Sequence, residues 1–302
     1  VPRWCFSWEG GAASSEGPDA AGGFLSPLTA DPGIMLGRPA WRRPDYELYA
    51  WDQFPSVLFF DTRDYAVQDA FFKRLAFFAE KKGYRGRLAR DREIDSQHGF
   101  NAYDYRGETL GAFFSLAEET GFPLNPHEEL LRDILLANGI IAQQTGGLYT
   151  GGNGAVISIS MESPDYLRRQ FIVHEGLHGI YFTQPEFREE VERVYAGTDP
   201  RCVDFLLGYF DVTPTLAYDL ADTYLVQNEF MAYLLQQPLG AAEAYFADQI
   251  ANRIYINRYH PELAQYVRDT RARGLCEAAA KLSDFLTQKW NLEAGRVWKT
   301  HQ

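Results

Sequence analysis

Phe171-Ile172-Val173-His174-Glu175-Gly176-Leu177-His178-Gly179-Ile180-Tyr181 is the stretch on which the reading of this chain turns. Val173, Leu177, Ile180 and Tyr181 are spaced as on a buried helix. His174 and His178 stand four residues apart, so they share a helix face one turn from each other. Imidazoles placed in this way can meet a single Zn²⁺ at about 2.0–2.1 Å. Glu175 is one step round the helix, where it can take a proton from a zinc-bound water and pass it to a leaving amine. With six histidines in 302 residues, the H-E-x-x-H spacing is uncommon by chance. Two histidines on a packed helix are the plainer reading; the intervening Glu and the buried flanks favour a metal site. Gly176 and Gly179 each cost up to about 1 kcal/mol in a helix relative to Ala. They read as marks of close packing, with room for a substrate as the other reading.

Working outward, Ser163 is an expected N-cap with Pro164 at the first helical position, and the helix should run to about Phe182. Further helices are expected at 185–195, 201–209, 215–237, 241–256 and 261–288. Upstream, Ser56–Phe60 reads as a buried strand, and Asp64 as the cap of a helix reaching Lys82 before Gly83. Helices are expected at 108–119 and 126–138, and strands near 139–143 and 155–160. Ala155–Ser160 alternates apolar and polar residues and so reads as half exposed. Residues 1–55 are rich in Gly, Pro and Trp and read as an irregular wrapping segment. The expected class is α+β. Residues 56–162 form an α/β part with a small mixed sheet, residues 163–302 form a mainly helical part, and the metal site lies between them.

A catalytic zinc normally has three protein ligands and an open position. Glu229 is the best third ligand, 51 residues after His178 on a helix of its own. Its neighbours Val226, Phe230, Ala232 and Tyr233 make the stretch look buried, and a buried carboxylate needs a partner such as a metal. Ala232 is small and lets that helix come close. Asp222, two turns earlier, is a candidate for orienting a ligand histidine. Asp199, Asp219, Asp222 and His260 are the alternatives for the third ligand. No third histidine follows at the H-E-x-x-H-x-x-G-x-x-H spacing, because Gln184 stands there.

The His174-Glu175-x-x-His178 helix followed by Asn228-Glu229-x-x-Ala232 resembles the gluzincin group of zinc metallopeptidases, over residues 155–236. Members use two His and one Glu as ligands and a Glu as base. Many carry Asp four residues after the third ligand to brace a histidine; here that residue is Tyr233. The resemblance implies a zincin-like fold and one zinc per chain. It also implies an edge strand before the metal helix, which runs beside a bound peptide. Ala155–Ser160 fits that place, with Asn153, Gly154, Ala155 and Val156 as substrate-binding candidates. It further implies a Tyr or His that stabilises the transition state. Candidates include Tyr233, Tyr181 and His260, with Tyr218, Tyr224, Tyr255 and Tyr259 also open.

Composition bounds the rest. Net charge is -12 and the sequence pI is about 5.0, which disfavours nucleic acid as a partner. No run of about 18 apolar residues appears, so no membrane span is expected. Cys5, Cys202 and Cys276 show no C-x-x-C spacing. The chain starts at Val1 with a Gly- and Trp-rich stretch, from which a trimmed, exported, extracytoplasmic protein is expected. The function expected is a metallopeptidase acting on peptides or proteins through a metal-activated water with Glu175 as general base. The alternatives are a zinc hydrolase of a non-peptide amide or ester, and a non-catalytic zinc-containing binding protein.

Overall fold

Every residue of Tyr46–Trp51, Val57–Thr62 and Ala155–Ser160 is buried, so these strands lie in a sheet covered on both faces. The computed structural model describes residues 25–81, 83–97, 99–214, 216 and 218–299. In chain order the strands are β1 (Leu28–Ala30), β2 (Tyr46–Trp51), β3 (Val57–Thr62), β4 (Ala102–Arg106), β5 (Ile141–Gln143), β6 (Tyr149–Gly151) and β7 (Ala155–Ser160). The main sheet has the order β1-β2-β3-β7-β4, and β5 pairs with β6 as a separate ribbon. β3 and β7 are parallel, with Val57 opposite Ala155. β4 is antiparallel to β7, with Asp104 opposite Ile157. The fold is therefore mixed α+β, with a mixed five-stranded sheet followed by a mostly helical C-terminal half.

The helices of the first half are α1 (Tyr65–Ala79), α2 (Asp91–Ile94), α3 (Gly107–Thr120) and α4 (Pro126–Ala137). α1, α3 and α4 cover the face that carries Leu58, Phe60, Tyr103, Tyr105 and Val156, and α2 packs Ile94 on Phe77 of α1. Then come α5 (Asp165–Thr183), α6 (Pro185–Ala196), α7 (Pro200–Val212) and α8 (Thr223–Leu235). They are followed by α9 (Leu239–Glu243), α10 (Ile254–Tyr259), α11 (Pro261–Asp269) and α12 (Arg273–Trp290). α5 lays Ile172, Val173, Leu177 and Ile180 on Val57, Phe59, Ala155 and Ile157, and the later helices extend that core. Burying each large apolar side chain contributes roughly 1.5–3 kcal/mol. Gly176 and Gly179 serve close packing. A Cβ at Gly179 would lie 2.8 Å from Val57 Cγ1, and one at Gly176 3.1 Å from Val297 Cγ2. The start of α5 is pinned by Arg168, whose guanidinium bonds Asp61 at 2.8 and 2.9 Å and the Met35 carbonyl at 2.8 Å, all buried.

Several expectations need correction. The described part of the N-terminal segment, 25–55, is not irregular: it holds β1, a 3₁₀ turn at Pro32–Gly37, and β2. Glu47 interrupts the apolar pattern of β2, but Arg42 and Arg43 pair with it and let it be buried. Residues 1–24, including Cys5, Trp4, Trp8 and the stretch Gly10–Gly23, lie outside the described residues, as does His98. Asp64 caps α1 by accepting from the Val67 amide, but the helix stops at Ala79, because the Glu80 and Lys81 amides both turn back to the Ala76 carbonyl. Ser163 does not cap α5; its hydroxyl bonds Tyr65, and Pro164 holds the cap position. The helix expected from 215 starts at Thr223, capped by Asp222. The one expected at 241–256 is broken by a π turn at Ala244–Gln249 and a 3₁₀ turn at Ile250–Asn252. The Ala251 carbonyl there is taken by Asn257 and Arg268 side chains. The one expected at 261–288 breaks where Arg271 and Ala272 adopt φ of 51° and 54°. Among the described residues, no helix is long and apolar enough to cross a membrane.

β7 is not an edge strand. It lies between β3 and β4, and its polar positions are satisfied internally: Gln68 bonds the Ser158 hydroxyl at 3.0 Å, and the Ser160 hydroxyl accepts from the Glu162 amide. Small hydroxyls with partners are cheap to bury, so alternation with Ser did not signal a wet face. The outer strand beside α5 is β4.

Candidate metal centre

α5 packs against β7, β4 and α8, so one helix sees the sheet and the Glu229 helix together. His174 and His178 lie on its α8 side, with ring centroids 4.7 Å apart. Glu229, on α8, is 6% exposed. Its carboxylate oxygens stand 3.7 Å from His174 Nε2 and 3.8 Å from His178 Nε2. Both distances are too long for hydrogen bonds. They are short enough for one ion to touch both partners at about 2.0–2.2 Å each. His174, His178 and Glu229 form a group whose ligand atoms all lie within 4.8 Å of one another.

The donor set fits zinc. Glu229 Oε2 is buried without a hydrogen-bond partner, which is costly for a carboxylate unless a cation meets it. His174 Nδ1 lies 3.1 Å from Gln236 Oε1, an arrangement that puts the proton on Nδ1 and leaves the Nε2 lone pair facing Glu229. Gln236 is held in turn, its amide donating to the Tyr245 hydroxyl at 2.7 Å. Burial alone would raise the Glu229 carboxyl; the neighbouring imidazoles and the Tyr218 hydroxyl outweigh it and hold the group below its ordinary value.

Glu175 turns toward the sheet and meets β4. Tyr103 and Tyr105 point to the opposite core, so the pleat sends Asp104 to the α5 face. Asp104, Glu175 and His178 bring ligand-type atoms within 4.8 Å of one another. Burial, then the negative charges of Asp104, Glu229 and Glu80, push Glu175 well above its ordinary value. Asp104 is raised by burial and Glu229, against the pull of the two histidines. A cavity adjoins this cluster, lined among others by Glu80, Asp104, Tyr105, Arg106, Asn228 and Glu229.

Other expected residues sit elsewhere. Asp222 does not brace a histidine: it caps α8 at the Leu225 amide and bonds Arg85 at 2.7 Å. The brace on His174 comes from Gln236, one residue past α8. Asp199 caps α7 and accepts from Tyr266, and Asp219 pairs with Arg85, so neither is free for the ion. Tyr233 stands edge-on to His174 with centroids 5.5 Å apart. Tyr181 is buried against Tyr224, and His260 packs against Gly208 of α7. Among the described residues, neither makes a hydrogen bond or ring contact with the triad. Tyr218 faces Glu229, and burial together with that charge raises its hydroxyl well above the ordinary phenol value. Of Asn153, Gly154, Ala155 and Val156, the last three are buried, and Ala155 and Val156 pair on both sides.

Sequence reasoning did not single out Asp104, Glu80 or Gln236. Asp104 carries one usable signal: a lone acid between two tyrosines in a short strand, where alternation sends the acid to the face opposite the aromatics. No protein-family model, no curated protein and no solved structure matches the chain.

Proposed function

We propose that the chain is a zinc-dependent metallopeptidase with a zincin-like arrangement, in which His174, His178 and Glu229 hold one Zn²⁺ and Glu175 is the general base. The observation that carries the reading is the meeting of two imidazoles and a partnerless buried carboxylate oxygen from two separate helices, with a further carboxyl one step round. When bound, zinc supplies Lewis acidity toward a carbonyl oxygen and lowers the pKa of a water. Glu175 accepts the proton of the attacking water and delivers it to the leaving nitrogen. Asp104 lies against Glu175 and orients its carboxyl. Gln236 fixes the tautomer and aim of His174. Tyr233, edge-on to His174, and Tyr218, which faces Glu229, are the candidates for steadying the developing oxyanion. β4, the outer strand, has a backbone edge facing away from β7 and can pair with an extended peptide.

Glu175→Gln tests this reading. The variant should retain zinc and lose peptide hydrolysis by about 10²–10⁴-fold. Turnover equal to the parent's would remove Glu175 from the chemistry. Hydrolysis of simple esters or non-peptide amides without peptide cleavage would move the substrate to another class.

A further inference from the structure

Glu80, Tyr105 and Asn228 hold no ion and take no part in the reaction above, yet all three line the cavity beside Glu229 and Asp104. Asn228 is 3% exposed, and its Oδ1 has no hydrogen-bond partner. A buried acceptor left unpaired is costly, so it marks a place where a ligand's donor would complete it. Among the described residues, Glu80 makes no ion pair, and it shares the cavity wall with Asp104 and Glu229. The cations in the wall are already committed. Arg85 bonds Asp219 at 2.8 Å and Asp222 at 2.7 Å, and Arg106 lies 4.5 Å over the Tyr224 ring. Glu80 and Asn228 Oδ1 are therefore the negative group and the acceptor left open in the wall. The cavity, about 100 Å³, suits one side-chain head group rather than a folded partner.

The geometry points to a cation subsite: the cavity takes the ammonium or guanidinium head of a substrate lysine or arginine beside the scissile bond, with Glu80 as charge partner and Asn228 Oδ1 as N–H acceptor. The word substrate rests on the peptidase reading; the binding of the cation does not. A free α-ammonium offers the same chemistry, and the test separates the two sources.

The full zinc-loaded chain is titrated calorimetrically with N-acetyl-arginine amide, norleucine amide, N-acetyl-norleucine amide and N-acetyl-aspartate amide. The arginine compound should bind about 10–100-fold more tightly than the uncharged norleucine compound, as a charge-assisted hydrogen bond in a partly dry site provides. Glu80→Gln keeps the side chain's shape, relieves repulsion among carboxyls, and should erase most of that preference. Equal binding of all four, or preference for the aspartate compound through Arg106, overturns the subsite. Tightest binding of norleucine amide overturns the side-chain assignment in favour of an α-ammonium. Peptides with and without Arg are then offered for cleavage. Cation binding with no peptide hydrolysed supports the subsite and counts against the peptidase reading. Hydrolysis indifferent to charge, with no cation binding, does the reverse.

Discussion

Replacing Gly179 by Ala tests how closely the metal helix must lie on the sheet. The new Cβ would fall 2.8 Å from Val57 Cγ1 and 3.0 Å from Ile157 Cδ1. Both neighbours are fully buried on β3 and β7, interior strands with partners on each side, so neither can step aside easily. Apolar carbons rest at about 3.5–4.0 Å, so these contacts are short by roughly 0.5–1.2 Å. Overpacking on this scale costs about 1–3 kcal/mol. Alanine's better helix propensity returns roughly 0.8–1 kcal/mol. The net expectation is a loss of about 0–2 kcal/mol. At Gly176 the nearest atom is Val297 Cγ2 at 3.1 Å, and the Trp51 and Phe59 rings stand at 3.7 and 3.8 Å. A small shift of one valine methyl suffices there, and the propensity gain should cancel the cost. Urea unfolding followed by tryptophan fluorescence compares the two variants at equal slope. Gly179→Ala should be the less stable, by up to about 2 kcal/mol. Gly179→Ala matching or exceeding both the parent and Gly176→Ala would refute the idea that glycine is there to seat the helix. Because His178 precedes Gly179, Gly179→Ala should also bind zinc more weakly.

Arg168→Ala leaves Asp61 buried without its partner and should cost about 3–5 kcal/mol in urea unfolding, with loss under 1 kcal/mol, roughly a surface-pair value, as the contrary result. Gln236→Ala removes the acceptor that orients His174 and should weaken zinc binding about 10–100-fold by competition with a chelating dye, with the zinc-free protein still folded by circular dichroism. Asp64→Ala removes the cap of α1 and should cost about 1 kcal/mol at pH 7. The Asp64 carboxyl is held below its ordinary value, first by the Val67 amide and then by Arg63. A depressed folded-state pKa contributes stability above the unfolded value, near 3.9, and loses it as pH falls through the lower folded value. The gap between parent and variant should therefore be full at pH 7 and close on acidification below about 4; a gap independent of pH would show that charge plays no part.

The elements that carry the site were legible because each leaves a local pattern. α5 shows apolar spacing with two histidines a turn apart, and Glu229 stands among residues that read as buried. What the sequence hid is set by pairing across long stretches of chain. Ser158 and Ser160 look like the wet face of an edge strand; Gln68 and the Glu162 amide satisfy them, and β4 closes the edge. Asp104 stands 70 residues before His174, and only the register of β4 on β7 brings it to Glu175. Glu80 reads as one more charge at a helix end beside Lys81, since nothing local says that the end of α1 abuts Glu229 and Asp104. Asp222 was visible as a polar group ahead of Glu229, but placing the helix start eight residues early, at 215 and not 223, turned a cap into a mid-helix ligand brace. Glu47 shows the same limit in the core: its burial depends on Arg42 and Arg43, which a pattern of apolar residues does not weigh.

The central claim, that His174, His178 and Glu229 share one ion, is tested most directly by the metal content of the full chain purified without chelators. Elemental analysis should return about one zinc per chain for the parent and close to none for His178→Ala and Glu229→Ala, with both variants still folded by circular dichroism. A parent without zinc that takes none up on addition, or variants that keep the parent's full zinc content, would contradict it.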